Sequence, residues 1–315
     1  MLDLLVSASV IVPSLDQAVA AVVDGLDFPP PKPTWILGGP GFGFEVAFCR
    51  VHPSMAMAPT RLELMCPRPP DEPLIPELPR FYVREVVALQ GRRPIRTHAT
   101  VTASSRLPDL LDRLRRAGVR HRIDPPIPEH PFSRLWLGVT EGDPAGYRPD
   151  EDAGLFLEVV ETETLRLAPE TFQALVLPVD LSQGAMIRIV SRGYLVRDLE
   201  RSVATLATNL GWEPVAPIEQ VAHEGYRRAQ FGFEIGHSAT LDLIEPTGDG
   251  PAGSFMSAWG PGPYSVRIAV NGLDARAELL KERRVPFSIE ERWPLLRVDP
   301  TETLGTVIEF VGAGV

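Results

Sequence analysis

The sequence predicts an α+β protein built from four copies of one module, two in each half of the chain. Three observations carry this. A strand followed by an amphipathic helix recurs four times. Each copy is followed later by a strand of apolar–acid–apolar form. Proline-rich stretches at Pro29–Pro33, Pro67–Pro79, Pro125–Pro131 and around Pro144–Pro149 punctuate the copies as loops, because proline donates no hydrogen bond to a helix or a sheet ladder.

The first opening segment is Ser7-Ala-Ser-Val-Ile-Val-Pro-Ser-Leu-Asp16, running into a helix through Ala18, Val19, Val22 and Val23. The second is His98-Ala-Thr-Val-Thr-Ala103, then Leu107, Leu110, Leu111 and Leu114. The third is Ser191-Arg-Gly-Tyr-Leu-Val-Arg-Asp-Leu-Glu200, then Val203, Leu206 and Leu210. The fourth is Ser265-Val-Arg-Ile-Ala-Val-Asn-Gly-Leu-Asp274, then Ala277, Leu279 and Leu280. Apolar residues three and four apart lie on one helical face. Gly25, Gly118 and Gly211 are expected as left-handed helix ends, and Val285-Pro286 closes the fourth helix.

The closing strands are Arg61-Leu-Glu63-Leu, Phe156-Leu-Glu158-Val, Thr240-Leu-Asp242-Leu and Val307-Ile-Glu309-Phe. Between helix and closing strand lie strand-like runs such as Phe132–Val139 and Arg227–Ile235. Glu77–Leu89 reads as a helix linking the first two modules. Gly38-Gly-Pro-Gly-Phe-Gly43 lacks the Lys-Ser/Thr of a phosphate loop and reads as a turn.

Composition narrows the partners. The chain has 315 residues, enough for two domains. Its 44% hydrophobic content supports packed cores. A net charge of −10 repels phosphate backbones and argues against nucleic acid. No apolar run reaches membrane-spanning length, which argues against a membrane partner. The apolar stretch Leu2–Val23 lacks the basic start of a secretory signal and is interrupted by Pro13, Asp16 and Gln17, so it reads as strand and helix. Two cysteines, Cys49 and Cys66, cannot build a disulfide framework, and a reducing cytoplasm is expected.

The third copy reads from end to end as Leu195-Val-Arg-Asp-Leu-Glu200, Asn209-Leu-Gly-Trp-Glu-Pro214 and Thr240-Leu-Asp-Leu-Ile-Glu-Pro246. The fourth closes with Asp299-Pro-Thr-Glu-Thr-Leu-Gly-Thr-Val-Ile-Glu-Phe-Val311. In these motifs and their order the chain resembles the vicinal-oxygen-chelate superfamily of glyoxalases, bleomycin-resistance proteins and extradiol dioxygenases. The resemblance implies four βαβββ modules paired into two open-barrel glyoxalase-like domains, about 1–165 and 186–315, joined through Thr171–Gly184. Each pair would wrap a cleft. Both clefts would be completed within one chain, so a monomer or weak homodimer is expected.

It also implies where ligands sit. In that family the first residue of an opening strand and the acid of a closing strand often hold a metal. Carried over, the N-terminal places are Ser7, Glu63, His98 and Glu158, and the C-terminal ones are Ser191, Asp242, Ser265 and Glu309. The first set offers one imidazole and two carboxylates to a divalent ion such as Zn, Ni, Mn or Fe. The second has no imidazole. Strand parity is expected to turn His98, Thr100 and Thr102 to the cleft, since the opposite register would bury three polar groups under the helix. His98 is then either a ligand in a metal site with Glu63 and Glu158 or a cleft histidine hydrogen-bonded to a carboxylate. Arg267 shares the parity of Ser265 and points inward, either to pair with Asp242 or Glu309 or to hold a ligand's carboxylate or phosphate.

Two functions follow. One is a metal-dependent lyase or isomerase of the glyoxalase type, with Glu63 or Glu158 as the catalytic base. The other is a metal-free protein that sequesters a small molecule, as bleomycin-binding members of the family do. An extradiol-type dioxygenase needs two histidines on iron, and His52, His121, His130, His223 and His237 fall in loops or middle strands. Trp136, Trp259 and Trp293 are expected in the core or along the clefts.

Overall fold

A computed structural model describes residues 2–52, 54, 56–75, 83–126, 133–139, 146–176, 181–290, 294–303 and 306–313. The first module runs β1 (Leu4–Ile11), α1 (Leu15–Ala20), β2 (Ile36–Gly38), β3 (Phe44–Cys49) and β4 (Arg61–Pro67). After a linking helix α2 (Val83–Leu89), the second runs β5 (Thr100–Ser104), α3 (Leu107–Ala117), β6 (His121–Asp124), β7 (Arg134–Leu137) and β8 (Leu157–Glu161). The third is β9 (Met186–Leu195), α4 (Leu199–Leu210), β10 (Glu219–Val221), β11 (Tyr226–Phe231) and β12 (Thr240–Pro246). A second linking helix, α5 (Pro251–Trp259), leads to β13 (Gly262–Val270), α6 (Leu273–Glu282), β14 (Phe287–Glu290), β15 (Leu295–Val298) and β16 (Val307–Gly312).

The eight strands of each half form one sheet, in the orders β2-β3-β4-β1-β5-β8-β7-β6 and β10-β11-β12-β9-β13-β16-β15-β14. Each order is symmetric about its central antiparallel pair, β1 with β5 and β9 with β13. Within a module the opening strand pairs in parallel with the closing strand, and the crossover carries the helix. This is the α+β fold of four βαβββ modules expected from the repeat. The paired sheets are open, since β2 and β6 end one sheet and β10 and β14 the other.

The helix-bearing faces of the two sheets turn toward each other. Leu5, Ala8 and Val10 of β1 share a buried cluster with Val266, Ile268 and Val270 of β13 and with residues of α1 and α6. A second cluster joins α3 to α4. Polar bonds cross the same seam: Tyr194 OH to Thr100 Oγ1 at 2.6 Å, and Arg192 Nη2 donating to the Ser9 carbonyl at 3.1 Å. The opposite faces of the sheets are therefore the cleft faces, and they look away from each other.

Local signals act largely as chemistry dictates. Ser14 and Asp198 cap α1 and α4 by accepting backbone N–H bonds. Gly118 and Gly211 adopt φ of 68° and 64° at the ends of α3 and α4. Gly25 does not take that role. The first helix widens into a π turn over Ala21–Gly25, and the left-handed residue is Asp27, at φ 59°. The linking helix expected over Glu77–Leu89 is present as Val83–Leu89, and the rest of that stretch lies outside the described residues.

Candidate functional site

The N-terminal cleft is built on four neighbouring strands. A bulge between Leu5 and Ser7 of β1 turns both Val6 and Ser7 to the cleft face. Glu63 of β4 stands in register with Ser9 of β1, and Glu158 of β8 with Val101 of β5. Together with Phe42, Phe44, Val46, Phe48, Met65 and neighbouring side chains they line a cavity of about 260 Å³. The wall is mostly apolar, with Arg61, Glu63, His98, Arg134, Glu158 and Thr164 as its charged or polar side chains. Gly38 and Phe42 of the glycine-rich stretch, with Leu37 of β2 before it, line the cavity.

The parity argument for His98 fails, although His98 does reach the cleft. Thr100 and Thr102 face the helices, in register with Leu157 and Val159, while Ala99, Val101 and Ala103 face the cleft side. The cost that argued against this register is absent. Thr100 donates to the Leu155 carbonyl at 2.8 Å and Thr102 to the Glu158 carbonyl at 3.2 Å. His98 lies in the bend before β5, outside the strand's alternation, and its ring enters the cavity from there.

His98 is 2% exposed and sits between the two carboxylates. Glu63 Oε1 is 3.7 Å from Nδ1, and Glu158 Oε2 is 3.5 Å from Nε2. Ser9 Oγ is 2.8 Å from Nδ1, and Ser7 Oγ donates to Glu63. Burial alone would lower the imidazole, but the charges of Glu63 and Glu158 outweigh it and hold His98 above its ordinary value.

This arrangement does not fit the expected metal set. The two ring nitrogens point apart, so an ion bound to Nε2 beside Glu158 is out of reach of Glu63 on the Nδ1 side. Zinc needs every ligand about 2.0–2.2 Å from one point. Arg61 in the cavity wall adds a positive charge that acts on both Glu63 and Glu158. Among the described residues no group of three or more His, Cys, Asp or Glu is spaced to hold a metal ion.

In the C-terminal cleft the charged side chains pair with one another. Arg267 stands in register with both Glu309 of β16 and Ser191 of β9. Its Nε donates to Glu309 at 2.6 Å, and its Nη2 donates to Glu224 at 2.7 Å and to Tyr226 OH at 2.9 Å. Arg297 donates to the other Glu309 oxygen through Nη2 at 2.7 Å and Nε at 2.9 Å. Asp242 accepts from Thr240 at 2.9 Å and faces Arg228 at 3.4 Å. Ser191 and Ser265 are buried. Burial alone would raise the Glu309 carboxyl, but Arg267 and Arg297 hold it below its ordinary range. Arg267 is therefore an internal ion-pair partner. Glu224 and Arg297, on the loop before β11 and on the middle strand β15, are the members that the sequence left unseen.

The tryptophans divide. Trp136 is fully buried on the cleft side of β7 and donates to Asp124 at 2.9 Å, while Trp259 at the end of α5 is 46% exposed. His130 and Trp293 lie outside the described residues.

No family model and no curated protein sequence matches the chain. Solved structures do. A mutant of 4-hydroxymandelate synthase from Streptomyces coelicolor aligns over 99% of this chain and 92% of its own, at 15% identity and a TM-score of 0.60. A methylmalonyl-CoA epimerase variant from Streptomyces coelicolor, in complex with 2-nitronate-propionyl-CoA, covers 41% of this chain and 99% of its own, at 21% identity and a TM-score of 0.36. The methylmalonyl-CoA epimerase from Mycobacterium tuberculosis covers 44% and 92%, at 22% identity and a TM-score of 0.37. The full-length similarity establishes the overall fold.

Proposed function

Because the chain has the vicinal-oxygen-chelate fold, in which paired modules wrap a cleft, we propose that it binds a small molecule in its N-terminal cleft without a resident metal ion. The observation that carries this is the contrast between its two clefts. One retains a largely apolar cavity of about 260 Å³ with a few converging polar groups. In the other, Arg267 and Arg297 are paired with Glu224 and Glu309. Duplication supplies two clefts, and here one is given over to stability and the other to a ligand. The metal-dependent lyase or isomerase reading is disfavoured by the divergence of Glu63 and Glu158 around His98.

A second reading shares the same cavity. His98 contacts a carboxylate from each nitrogen, so Glu63 or Glu158 could exchange a proton with a bound substrate while the imidazolium offsets its charge. That would make the protein a metal-free proton-transfer enzyme.

The small-molecule partner is tested by a thermal-shift screen of aromatic and aliphatic acids, amides and alcohols against the wild type and Val101→Phe, which narrows the cavity. Stabilisation of the wild type that Val101→Phe loses is expected. Equal stabilisation of both proteins would refute the site. The completeness of each cleft within one chain supports a monomer or weak homodimer, and an obligate tetramer in light scattering would contradict it. Among the described residues no helix is long and apolar enough to cross a membrane. The free Cys49 and Cys66 support a cytoplasmic location.

A further inference from the structure

One end of the N-terminal cavity holds a charge arrangement that the described residues do not fully satisfy. β3 and β4 pair antiparallel with Cys49 opposite Leu62 and Phe48 opposite Glu63. Continuing this register by one step sets Arg50 directly across from Arg61. Both belong to the cleft-side row that includes Phe48 and Glu63. Like charges directly opposite each other across a ladder repel, and here burial aggravates the repulsion. Arg50 is 4% exposed, and burial followed by the neighbouring Arg61 charge pushes its guanidinium down to about 10.

Neither guanidinium has an acidic partner within ion-pair distance among the described residues, and neither makes a hydrogen bond there. Arg50 Nε and Nη1 and Arg61 Nε are buried without acceptors. Aromatic rings hold both groups in place instead. Arg61 Cζ lies 3.6 Å from the Phe48 ring centre and Arg50 Cζ 5.1 Å from that of Trp35. Lys32 Nζ lies over the same Trp35 ring at 5.0 Å. Two buried guanidiniums thus stand side by side in a chain whose net charge is −10. Two adjacent buried guanidiniums with no acceptor for their Nε groups among the described residues are costly, and a guanidinium is suited to holding an anionic oxygen pair.

We propose that Arg61, backed by Arg50, is the anion-recognising end of the cavity and that the ligand is a small apolar monocarboxylate. This rests on the reading of the N-terminal cleft as the binding site and narrows its ligand class. Arg61 lines the cavity itself, beside the apolar wall of Phe42, Phe44, Val46 and Met65 that would take the ligand's body. The same wall contains Glu63 and Glu158. A second negative charge on the ligand would meet these carboxylates, so a singly charged acid is favoured over a phosphate dianion.

The test is calorimetric titration of the full chain with phenylacetate, its neutral isostere phenylacetamide, and phenyl phosphate. Phenylacetate should bind at least about tenfold more tightly than the amide, a charge-assisted contact's worth, and more tightly than phenyl phosphate. Arg61→Gln should erase the preference for acid over amide, Arg50→Gln should reduce it, and Arg61→Lys should keep part of it. The acid-to-amide ratio separates recognition from a structural role, because loss of folding stability alone leaves that ratio unchanged. Equal binding of acid and amide overturns the anion site while leaving the cleft reading intact. Tighter binding of phenyl phosphate overturns the monocarboxylate assignment. Binding of none of the three overturns both this proposal and the cleft reading on which it rests.

Discussion

Replacing Glu309 by Gln should unfold the C-terminal half far more readily than an ordinary surface change. Glu309 is 1% exposed and accepts from Arg267 at 2.6 Å and from Arg297 at 2.7 and 2.9 Å. The amide keeps the shape of the carboxylate and removes its charge. Two guanidiniums would then share only Glu224, which lies 2.7 Å from Arg267 and 3.3 Å from Arg297. Removing one partner of a buried ion pair costs about 3–5 kcal/mol, because the other charge stays buried without compensation. For a domain of this size that lowers Tm by on the order of 10 °C. The carboxyl is held below its ordinary value, so its contribution is present above the usual carboxylate pKa and is lost as the pH falls. Glu309→Gln should therefore lose the most stability near neutral pH and approach the wild type in acid. Scanning calorimetry and urea unfolding across pH measure both effects. A loss below about 1 kcal/mol at neutral pH, or one independent of pH, would refute the view that these ion pairs stabilise the C-terminal half.

Three further outcomes follow from single groups. Asp152 is fully buried, accepts from Tyr147 at 2.6 Å, and is pushed up to about 7 by burial. Its contribution is whole below the ordinary carboxylate pKa and declines as the pH rises through about 7, by roughly 4 kcal/mol. Asp152→Asn should remove this decline from the unfolding free energy, and an unchanged pH profile would contradict it. Tyr194→Phe removes the hydroxyl that meets Thr100 across the two halves. It should cost about 1 kcal/mol in urea unfolding, and a neutral result would show that the bond is immaterial. Cys49 is fully buried and its thiol is pushed up to about 12, whereas Cys66 is only part-buried. Iodoacetamide should therefore label Cys66 first, as peptide mass mapping would report; prior labelling of Cys49 would contradict its burial.

The fold was legible because it repeats. Four opening segments and four closing acids, read with two periodicities, place every central strand. Elements outside the repeat were harder to see. Helix α5 opens at Pro251 after Gly250 and ends before Gly260, which are start and stop signals, yet its Gly253, Ser254 and Ser257 obscure the apolar stripe that marks a helix. The candidate site was legible residue by residue and not as geometry. Glu63, His98 and Glu158 do meet, but sequence cannot show that the carboxylates take opposite edges of one ring. Parity misled because threonine hydroxyls can return their hydrogen bonds to a neighbouring carbonyl, which makes Thr100 and Thr102 acceptable beneath the helices. Arg267 drew attention by its place in the repeat, while Glu224 and Arg297 lie outside the repeated positions. Arg50 and Arg61 are eleven positions apart in sequence and become neighbours only through the register of β3 and β4.

The proposed metal-free working of the N-terminal cleft is decided by calorimetric titration of chelator-stripped protein with zinc at neutral pH. Wild type, His98→Ala and Glu309→Ala should behave alike, with no saturable one-to-one site. A one-to-one site that is present in the wild type and in Glu309→Ala but lost in His98→Ala would contradict the claim and restore His98, Glu63 and Glu158 as metal ligands.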